Sequence, residues 1–177
     1  MTHSDLPSTR VLAILASSRR NGNTEQLLQR VLNQLPDTGL VDLSAHSIVP
    51  YDYEQDYSDG DGFDAIAAAM VRAEVIIFAS PVYWYSMSGP MKIFFDRLTD
   101  LTEKHKAMGK SLKGKTIFLV STGGSPQAPA SFAAPFVDSA GYFDMHWGGM
   151  LYGQAENPTL EAIEEFTTTI ANIMSSN

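Results

Sequence analysis

The sequence predicts a doubly wound α/β fold, in which a five-stranded parallel sheet carries helices on both faces. Two observations lead to this prediction. Short continuous apolar runs, the pattern of strands buried on both faces, alternate along the 177 residues with longer segments of helical periodicity. Neither an internal repeat nor a linker-like segment interrupts the alternation, which indicates a single domain.

The predicted elements follow one another as five strand–helix units. The apolar runs predicted as strands are Val11–Ala16, Leu40–Leu43, Val75–Ala79, Ile117–Val120 and a less distinct run within Phe143–Tyr152. The segments predicted as helices are Asn23–Leu35, Phe63–Ala73, Met91–Leu101, Pro129–Ala140 and a last one that carries Leu160, Ile163, Phe166 and Ile170.

Local signals mark where some of these segments begin and end. Asn23 is expected to cap the first helix with Gln26 as its capping-box partner, and Pro36 is expected to end that helix. Ser88 is expected to cap the third helix. The segment His46–Gly62 is rich in aspartate and glycine, which predicts a solvated loop.

Composition excludes several classes of function. The chain has no cysteine, so disulfides, thiolate catalysis and cysteine-ligated metals are excluded, and no metal site is expected. The net charge of −8 argues against nucleic acid as a partner, and no apolar run approaches the roughly 18 residues of a membrane helix. Residues 1–10 lack a secretory signal pattern and are expected to form a flexible arm before a domain at 11–177, so a cytoplasmic location is expected.

The predicted order of the strands tells where a ligand should bind. Right-handed crossovers leave few topologies, and the common one for five strands is the flavodoxin-like order 2-1-3-4-5. Strands 1, 3 and 4 are then neighbours, and ligands bind beyond the carboxyl ends of such strands. The loops Ser17–Thr24, Ser80–Ser88 and Ser121–Gln127 are therefore expected to converge on one site.

The first loop has the composition of a phosphate site. It joins a buried strand to a helix N-terminus, where free N–H groups and the helix dipole attract anions. Candidate phosphate ligands are Ser17, Ser18, Arg19, Asn21, Gly22, Asn23 and Thr24, which supply hydroxyls, amides, one charge and a close backbone approach. An ordinary strand–helix loop with a capped helix would also carry serine and asparagine, and that alternative stays open.

The second and third loops offer flat walls. Candidates for an apolar wall are Pro81, Val82, Tyr83, Trp84 and Tyr85, although aromatics that cover the sheet end or an oligomer interface are an alternative. Candidates for a backbone N–H wall are Ser121, Thr122, Gly123 and Gly124, although a tight turn would have the same composition. A phosphate site between two flat walls suits a planar cofactor with one phosphate, and FMN is the cofactor predicted.

These same residues resemble the NADPH-dependent FMN reductases of the flavodoxin-like superfamily, especially the iron–sulfur flavoproteins and their cluster-free relatives. The more specific likeness runs from Ser80–Tyr83 through Gly89–Lys92 to Phe95–Arg97, and the first and third loops add weaker motifs. The likeness covers about residues 10–155. It implies an oxidoreductase with FMN as cofactor and NADPH or NADH as electron donor.

The resemblance also implies roles for the loops. The phosphate would be held by Ser17, Arg19, Asn21, Asn23 and Thr24; the isoalloxazine ring would lie along residues 81–85 and its pyrimidine end against residues 122–124. Lys92, Asp96 and Arg97 would be structural or interfacial. The acceptor would be a small molecule (a quinone, azo, nitro, flavin or metal compound) reduced in a two-electron ping-pong cycle, by a homodimer or homotetramer. No catalytic side chain is expected, because the cofactor carries the chemistry.

The chain departs from its relatives at two places. Iron–sulfur flavoproteins carry a cysteine motif after the second strand, where this chain has the acidic segment Tyr51–Tyr57. Related quinone reductases carry a histidine near the end of the fourth helix, where this chain has Ser139–Gly141; His146 is expected within the fifth strand, as a satisfied or interfacial histidine. Two alternatives stay open: an FMN-binding electron carrier that does not use NAD(P)H, and a domain that has lost its flavin.

Overall fold

A computed structural model of the chain describes residues 6–154 and 159–176. Its described part contains one parallel sheet in the order β2-β1-β3-β4-β5, which confirms the predicted flavodoxin-like fold. The strands are Val11–Leu15 (β1), Thr38–Asp42 (β2), Val75–Pro81 (β3), Thr116–Gly123 (β4) and His146–Gln154 (β5). The helices are Asn23–Leu32 (α1), Phe63–Arg72 (α2), Gly89–Arg97 (α3), Lys106–Lys110 (α4), Ala134–Tyr142 (α5) and Leu160–Ser175 (α6).

The sheet is buried between two layers of helices. Every residue of β1 and β3 is buried, as their continuous apolar runs predicted. On one face α2, α3 and α5 contribute Ile66, Phe94 and Phe136 to the core, and on the other α1 and α6 contribute Leu28 and Ile170. Each such fully buried side chain stabilises the fold by about 1.5–3 kcal/mol, so the core holds the strand ends in fixed positions.

Two predicted helix starts have different outcomes. Ser88 caps α3 as predicted, because its side chain accepts a hydrogen bond from the N–H of Met91. The predicted cap of α1 is wrong: Gly22 is the N-cap residue, and the Gln26 side chain donates to the carbonyl of Asn21 instead of closing a capping box. The first turn of α1 therefore stays without a side-chain cap.

The aspartate-rich segment 46–62 corrects a second prediction, because it is not solvated throughout. The Asp61 side chain is only 8% exposed and accepts hydrogen bonds from Arg97 Nη1 and from the N–H of Val49, both at 2.8 Å. Arg97 is 1% exposed and also donates through Nε to Asp100 at 2.9 Å, while the ring of Tyr57 lies 3.5 Å from its guanidinium carbon. These four residues, Arg97, Asp61, Asp100 and Tyr57, are called the Arg97 cluster below.

Both partners of the main ion pair in the Arg97 cluster stay charged. Burial lowers the pKa of Arg97, but hydrogen bonds to Asp61 and Asp100 outweigh burial and leave that pKa above its ordinary value. Burial raises the pKa of Asp61, but hydrogen bonds from Arg97 and two backbone N–H groups leave it below its ordinary value. The cluster therefore links the segment 46–62 to the end of α3, which gives Arg97 the structural role that was expected of it.

The described part of the predicted arm lies against the domain. Leu6 is partly buried and packs against the core cluster that contains Ile66, Phe94 and Phe136. Arg10 pairs with Glu74 at 2.7 Å and donates to the carbonyl of Met174. Residues 1–5 lie outside the described part. No helix among the described residues is both long and apolar enough to cross a membrane.

Candidate functional site

The three predicted loops meet where β1, β3 and β4 end side by side. Buried hydroxyls tie these strand ends together: Ser88 Oγ donates to the carbonyl of Ala16 and Ser121 Oγ to that of Ser80, each at 2.7 Å. The Ser80 hydroxyl in turn accepts from the N–H of Ser88 at 2.9 Å. The backbone that carries the candidate ligands is thereby held in place by satisfied internal bonds.

A cavity of about 310 Å³ opens between these loops. Each residue found to line it belongs to the predicted cofactor-binding set: Ser17, Arg19, Gly22, Asn23, Thr24, Pro81, Val82, Tyr83, Thr122, Gly123 and Gly124. The structure therefore brings most of the predicted residues together, as the switch-point argument required.

The first loop presents an open helix N-terminus to this cavity. Within the described residues, the N–H groups of Asn23, Thr24 and Glu25 donate no hydrogen bond. Gly22 is buried, and a Cβ there would lie 3.0 Å from the carbonyl oxygen of Arg19. Unpaired N–H groups, the positive end of the α1 dipole and the Arg19 guanidinium together favour an anion at this end of the cavity.

The first and third loops are joined by a buried contact. The Thr24 and Thr122 hydroxyls lie 2.6 Å apart, and both residues are buried. A change at either threonine is thus transmitted to the loop on the other side of the cavity.

The second loop forms a strained aromatic turn. Tyr83 and Ser86 exchange backbone hydrogen bonds, so that Trp84 and Tyr85 occupy the two central positions of a tight hairpin. Their φ angles are 49° and 69°, the left-handed region that glycine and asparagine normally fill in such turns. Trp84 is 93% exposed and Tyr85 69% exposed. Strain at bulky exposed residues is typical of functional positions.

A second cavity of about 220 Å³ adjoins the first and shares Val82, Gly123 and Gly124 with it. The remaining residues found to line it are Trp84, Tyr85, Ser125, Pro129 and Tyr152. The two cavities together are called the cleft below. It has a polar end at α1 and an aromatic end at the hairpin.

The structure adds three residues that the sequence analysis missed. Ser125 lies within the predicted third loop but was not among the candidate ligands, and Pro129 was predicted as the first residue of the following helix. Tyr152 comes from β5, at the edge of the sheet, and donates to the Ser125 carbonyl at 2.8 Å. Only the register between β4 and β5, which pairs Ser121 with Tyr152, could have placed it.

Three predicted ligands lie outside the lining of the cleft. Ser121 is fully buried, because its hydroxyl joins β4 to β3. Ser18 is exposed and is not found in the lining of either cavity. Asn21 takes a left-handed conformation with φ of 54°, and the Glu25 carboxylate accepts its N–H at 2.6 Å. Ser121 and Asn21 therefore make internal bonds of the protein instead of lining the cleft.

A larger cavity of about 400 Å³ lies near the amino ends of β4 and β5, whereas the cleft lies at the carboxyl ends of the strands. Lys106, Lys110 and Lys113 line it, but Lys113 pairs with Asp144. His146 is the first residue of β5 and is exposed at this same end of the sheet. Because ligands of open α/β sheets bind beyond the carboxyl ends of the strands, the cleft is the better candidate, although each of its two cavities is smaller than this one.

The geometry of the cleft agrees with the comparison to known proteins. The model of the NADPH-dependent FMN reductase family matches residues 9–149. The chain belongs to this family. Membership confirms the resemblance inferred from the loops, and it confirms the predicted enzyme class, an NAD(P)H-dependent oxidoreductase with FMN as its cofactor.

Individual relatives are distant. A Bacillus subtilis protein named as an NAD(P)H-dependent FMN-containing oxidoreductase is 25% identical over 122 residues, which span 65% of this chain and 67% of that protein. An iron-sulfur flavoprotein of Archaeoglobus fulgidus is 23% identical over 187 aligned positions, spanning 94% of this chain and 81% of that one. The solved structure of the Trp repressor binding protein from Bacillus subtilis shares the fold, with a TM-score of 0.71 at 20% identity, covering 90% of this chain and 97% of that one.

Proposed function

We propose that the chain binds one FMN along the cleft and uses it to pass two electrons from NADPH or NADH to a small-molecule acceptor in a ping-pong cycle. One observation carries the proposal. An uncapped helix N-terminus, an exposed aromatic turn and the segment Thr122–Ser125 of the third loop, called the glycine loop below, line the same cleft, and the glycine loop has unpaired N–H groups. This combination suits a ligand with an anionic end and a flat aromatic end.

The phosphate belongs at the α1 end. The N–H groups of Asn23 to Glu25 have no partner among the described residues, so a phosphate oxygen can accept them without breaking an internal bond. Arg19 is exposed and contributes the positive charge among the residues found to line the first cavity. Each charge-assisted hydrogen bond is worth about 1.5–3 kcal/mol net, and several are needed to offset the desolvation of a phosphate dianion.

The isoalloxazine ring belongs at the aromatic end. Val82 lies between the two cavities, and the hairpin with Trp84 and Tyr85 forms one wall of the second cavity. The glycine loop lines the same cavity, and the N–H groups of Gly124 and Ser125 have no partner among the described residues. Donors placed there stabilise negative charge on the pyrimidine end of a ring.

The bound FMN would supply hydride transfer, and the side chains of the cleft bind, orient and exclude water. Neither a carboxylate nor a histidine is found among the described residues that line the cleft. The proposal assigns no side chain as a general acid or base, because the cofactor carries the chemistry.

The finer parts of the function are proposals as well. The acceptor class comprises quinone, azo, nitro, flavin and metal compounds. We propose a homodimer or homotetramer in the cytoplasm, with neither nucleic acid nor membrane as a partner. The acidic composition argues against nucleic acid as a partner, because a net charge of −8 repels phosphate backbones.

Anaerobic spectroscopy tests the proposal. The purified protein is loaded with FMN, freed of excess flavin, and mixed with NADPH and then NADH while the visible flavin band is followed. We expect the band to bleach with at least one nucleotide and to return when an acceptor is added. Steady-state rates should give parallel double-reciprocal lines, as a ping-pong cycle requires. Bleaching by dithionite alone would support the electron carrier instead, and a protein that retains no FMN would overturn the proposal.

A further inference from the structure

Two side chains near the end of β5, those of Tyr152 and Gln154, donate hydrogen bonds to the glycine loop. Tyr152 and Gln154 are two residues apart on one strand, so they project to the same face of the sheet. Tyr152 Oη donates to the carbonyl of Ser125 at 2.8 Å, and Gln154 Nε2 donates to that of Gly124 at 3.3 Å. Both carbonyls of this stretch are thus held by the strand at the edge of the sheet.

Gly123 makes room for this contact. A Cβ at position 123 would lie 2.6 Å from the Tyr152 hydroxyl, closer than real Cβ atoms come to a neighbour. The tyrosine therefore lies directly over this glycine, and any side chain at position 123 would displace it.

A hydrogen bond that fixes the direction of a carbonyl also fixes the direction of the N–H group in the same peptide. In a trans peptide the C=O and N–H point in opposite directions, so fixing the Gly124 carbonyl toward Gln154 turns the Ser125 N–H to the other side of the loop. That N–H and the N–H of Gly124 donate to no atom of the described residues. Gly124 and Ser125 line the second cavity beside Tyr152, so this backbone borders the cleft.

We infer that Tyr152 and Gln154 are positioning residues, which hold the backbone of residues 123–125 so that its free N–H groups donate to the pyrimidine end of FMN. Through this alignment they raise the two-electron reduction potential of the bound flavin. The reduced ring carries negative charge there, so a well-aligned donor favours the reduced form more than the oxidised one. The inference rests on the proposed placement of the ring in the cleft.

The test compares Tyr152→Phe and Gln154→Met with the wild-type protein. Phenylalanine and methionine keep most of the side-chain volume and lose only the donor. Tyr142→Phe is the matched control, because Tyr142 is 71% exposed at the end of α5 and does not line the cleft. The midpoint potential of bound FMN is measured against a redox dye, and FMN affinity is measured in the oxidised state.

We expect Gln154→Met to weaken binding of reduced FMN about tenfold more than binding of oxidised FMN, because the Gly124 carbonyl that Gln154 holds shares a peptide with the Ser125 N–H. For a two-electron couple this lowers the midpoint potential by about 30 mV. Tyr152→Phe should shift the potential in the same direction by less, because the Ser125 carbonyl that Tyr152 holds precedes Pro126, which has no N–H. Tyr142→Phe should leave the potential unchanged. In the apoprotein, the NMR order parameters of the Gly124 and Ser125 N–H groups should fall in both β5 variants.

Unchanged potentials and unchanged order parameters in variants that bind FMN would overturn the inference and leave the proposed function standing. If one β5 variant binds no FMN, the potential of the other variant and the order parameters of both apoproteins decide in the same way. A wild-type protein that binds no FMN would overturn the proposed function itself.

Discussion

The cleft and the Arg97 cluster lie near opposite ends of α3 and differ in whether their polar groups have hydrogen-bond partners. In the cluster, Arg97 bonds to two carboxylates and to the carbonyl of Val49, and an aromatic ring covers it. In the cleft, N–H groups at the start of α1 and in the glycine loop have no partner among the described residues, and Trp84 and Tyr85 hold strained backbone angles. Fully paired buried charges belong to the scaffold, whereas unpaired donors beside strained residues mark a place for a ligand.

The largest expected effect is on stability, at the cluster. Arg97→Met removes the cation and leaves Asp61 and Asp100 buried without it, so we expect the free energy of unfolding to fall by about 3–5 kcal/mol. Urea denaturation measures this change. Lys92→Met on the same helix is the control: its exposed pair with Asp96 is worth only about 0.3–0.5 kcal/mol. Equal losses in the two variants would contradict the scaffold role.

The next effect is on FMN binding, at the cleft. Arg19→Ala removes one charge-assisted bond to the phosphate, so we expect FMN affinity to fall by about 1.5–3 kcal/mol, roughly tenfold or more. Because Arg19 is exposed, unfolding should be unaffected. Arg20→Ala is the matched control, since Arg20 is exposed and outside the cleft lining. Quenching of flavin fluorescence measures both, and equal affinities would place the phosphate elsewhere.

A third experiment separates strain from binding in the aromatic turn. Replacing Trp84-Tyr85 by Asn-Gly supplies residues that suit this hairpin, so we expect stability to rise by about 1–2 kcal/mol while FMN affinity falls. Thermal and urea unfolding measure the gain. Gln55→Gly is the control, because Gln55 has a φ of 52° outside the cleft. Glycine relieves this strain but loses the hydrogen bond from Gln55 to Glu103, and FMN affinity should stay unchanged. An Asn-Gly variant that binds FMN like the wild type would contradict the role of the turn.

The smallest expected effect is a pH dependence of stability due to Asp61. Its pKa is lowered in the folded state, so its contribution is complete above the ordinary aspartate pKa of about 3.9 and is lost as pH falls through the lower folded value. Asp61→Asn should therefore be less stable than the wild type at neutral pH, and the difference should shrink below about pH 4. A difference in unfolding free energy that stays constant across this range would contradict the assignment.

Local patterns predicted the fold, because the five strands and five of the six α-helices of the described residues have their own apolar pattern. The five-residue α4, Lys106–Lys110, was not predicted. Local patterns also predicted the residues lining the first cavity, since parallel strands bring their carboxyl ends together. Partners distant in sequence could not be predicted. Asp61 was taken for a solvated residue because its partner Arg97 lies 36 positions away. Tyr152 was missed because only the β4–β5 register brings it to Ser125.

Hydrogen exchange with and without FMN tests the comparison between the two regions most directly, because it reports on backbone N–H groups one segment at a time. The apoprotein is exchanged alone and with saturating FMN, and the difference is mapped onto the chain. We expect protection at residues 22–25, 82–86 and 123–125, and no change at residues 46–62. Protection of residues 46–62, or of the lysine-lined cavity, with the three loops unchanged would contradict the assignment of the cleft as the FMN site.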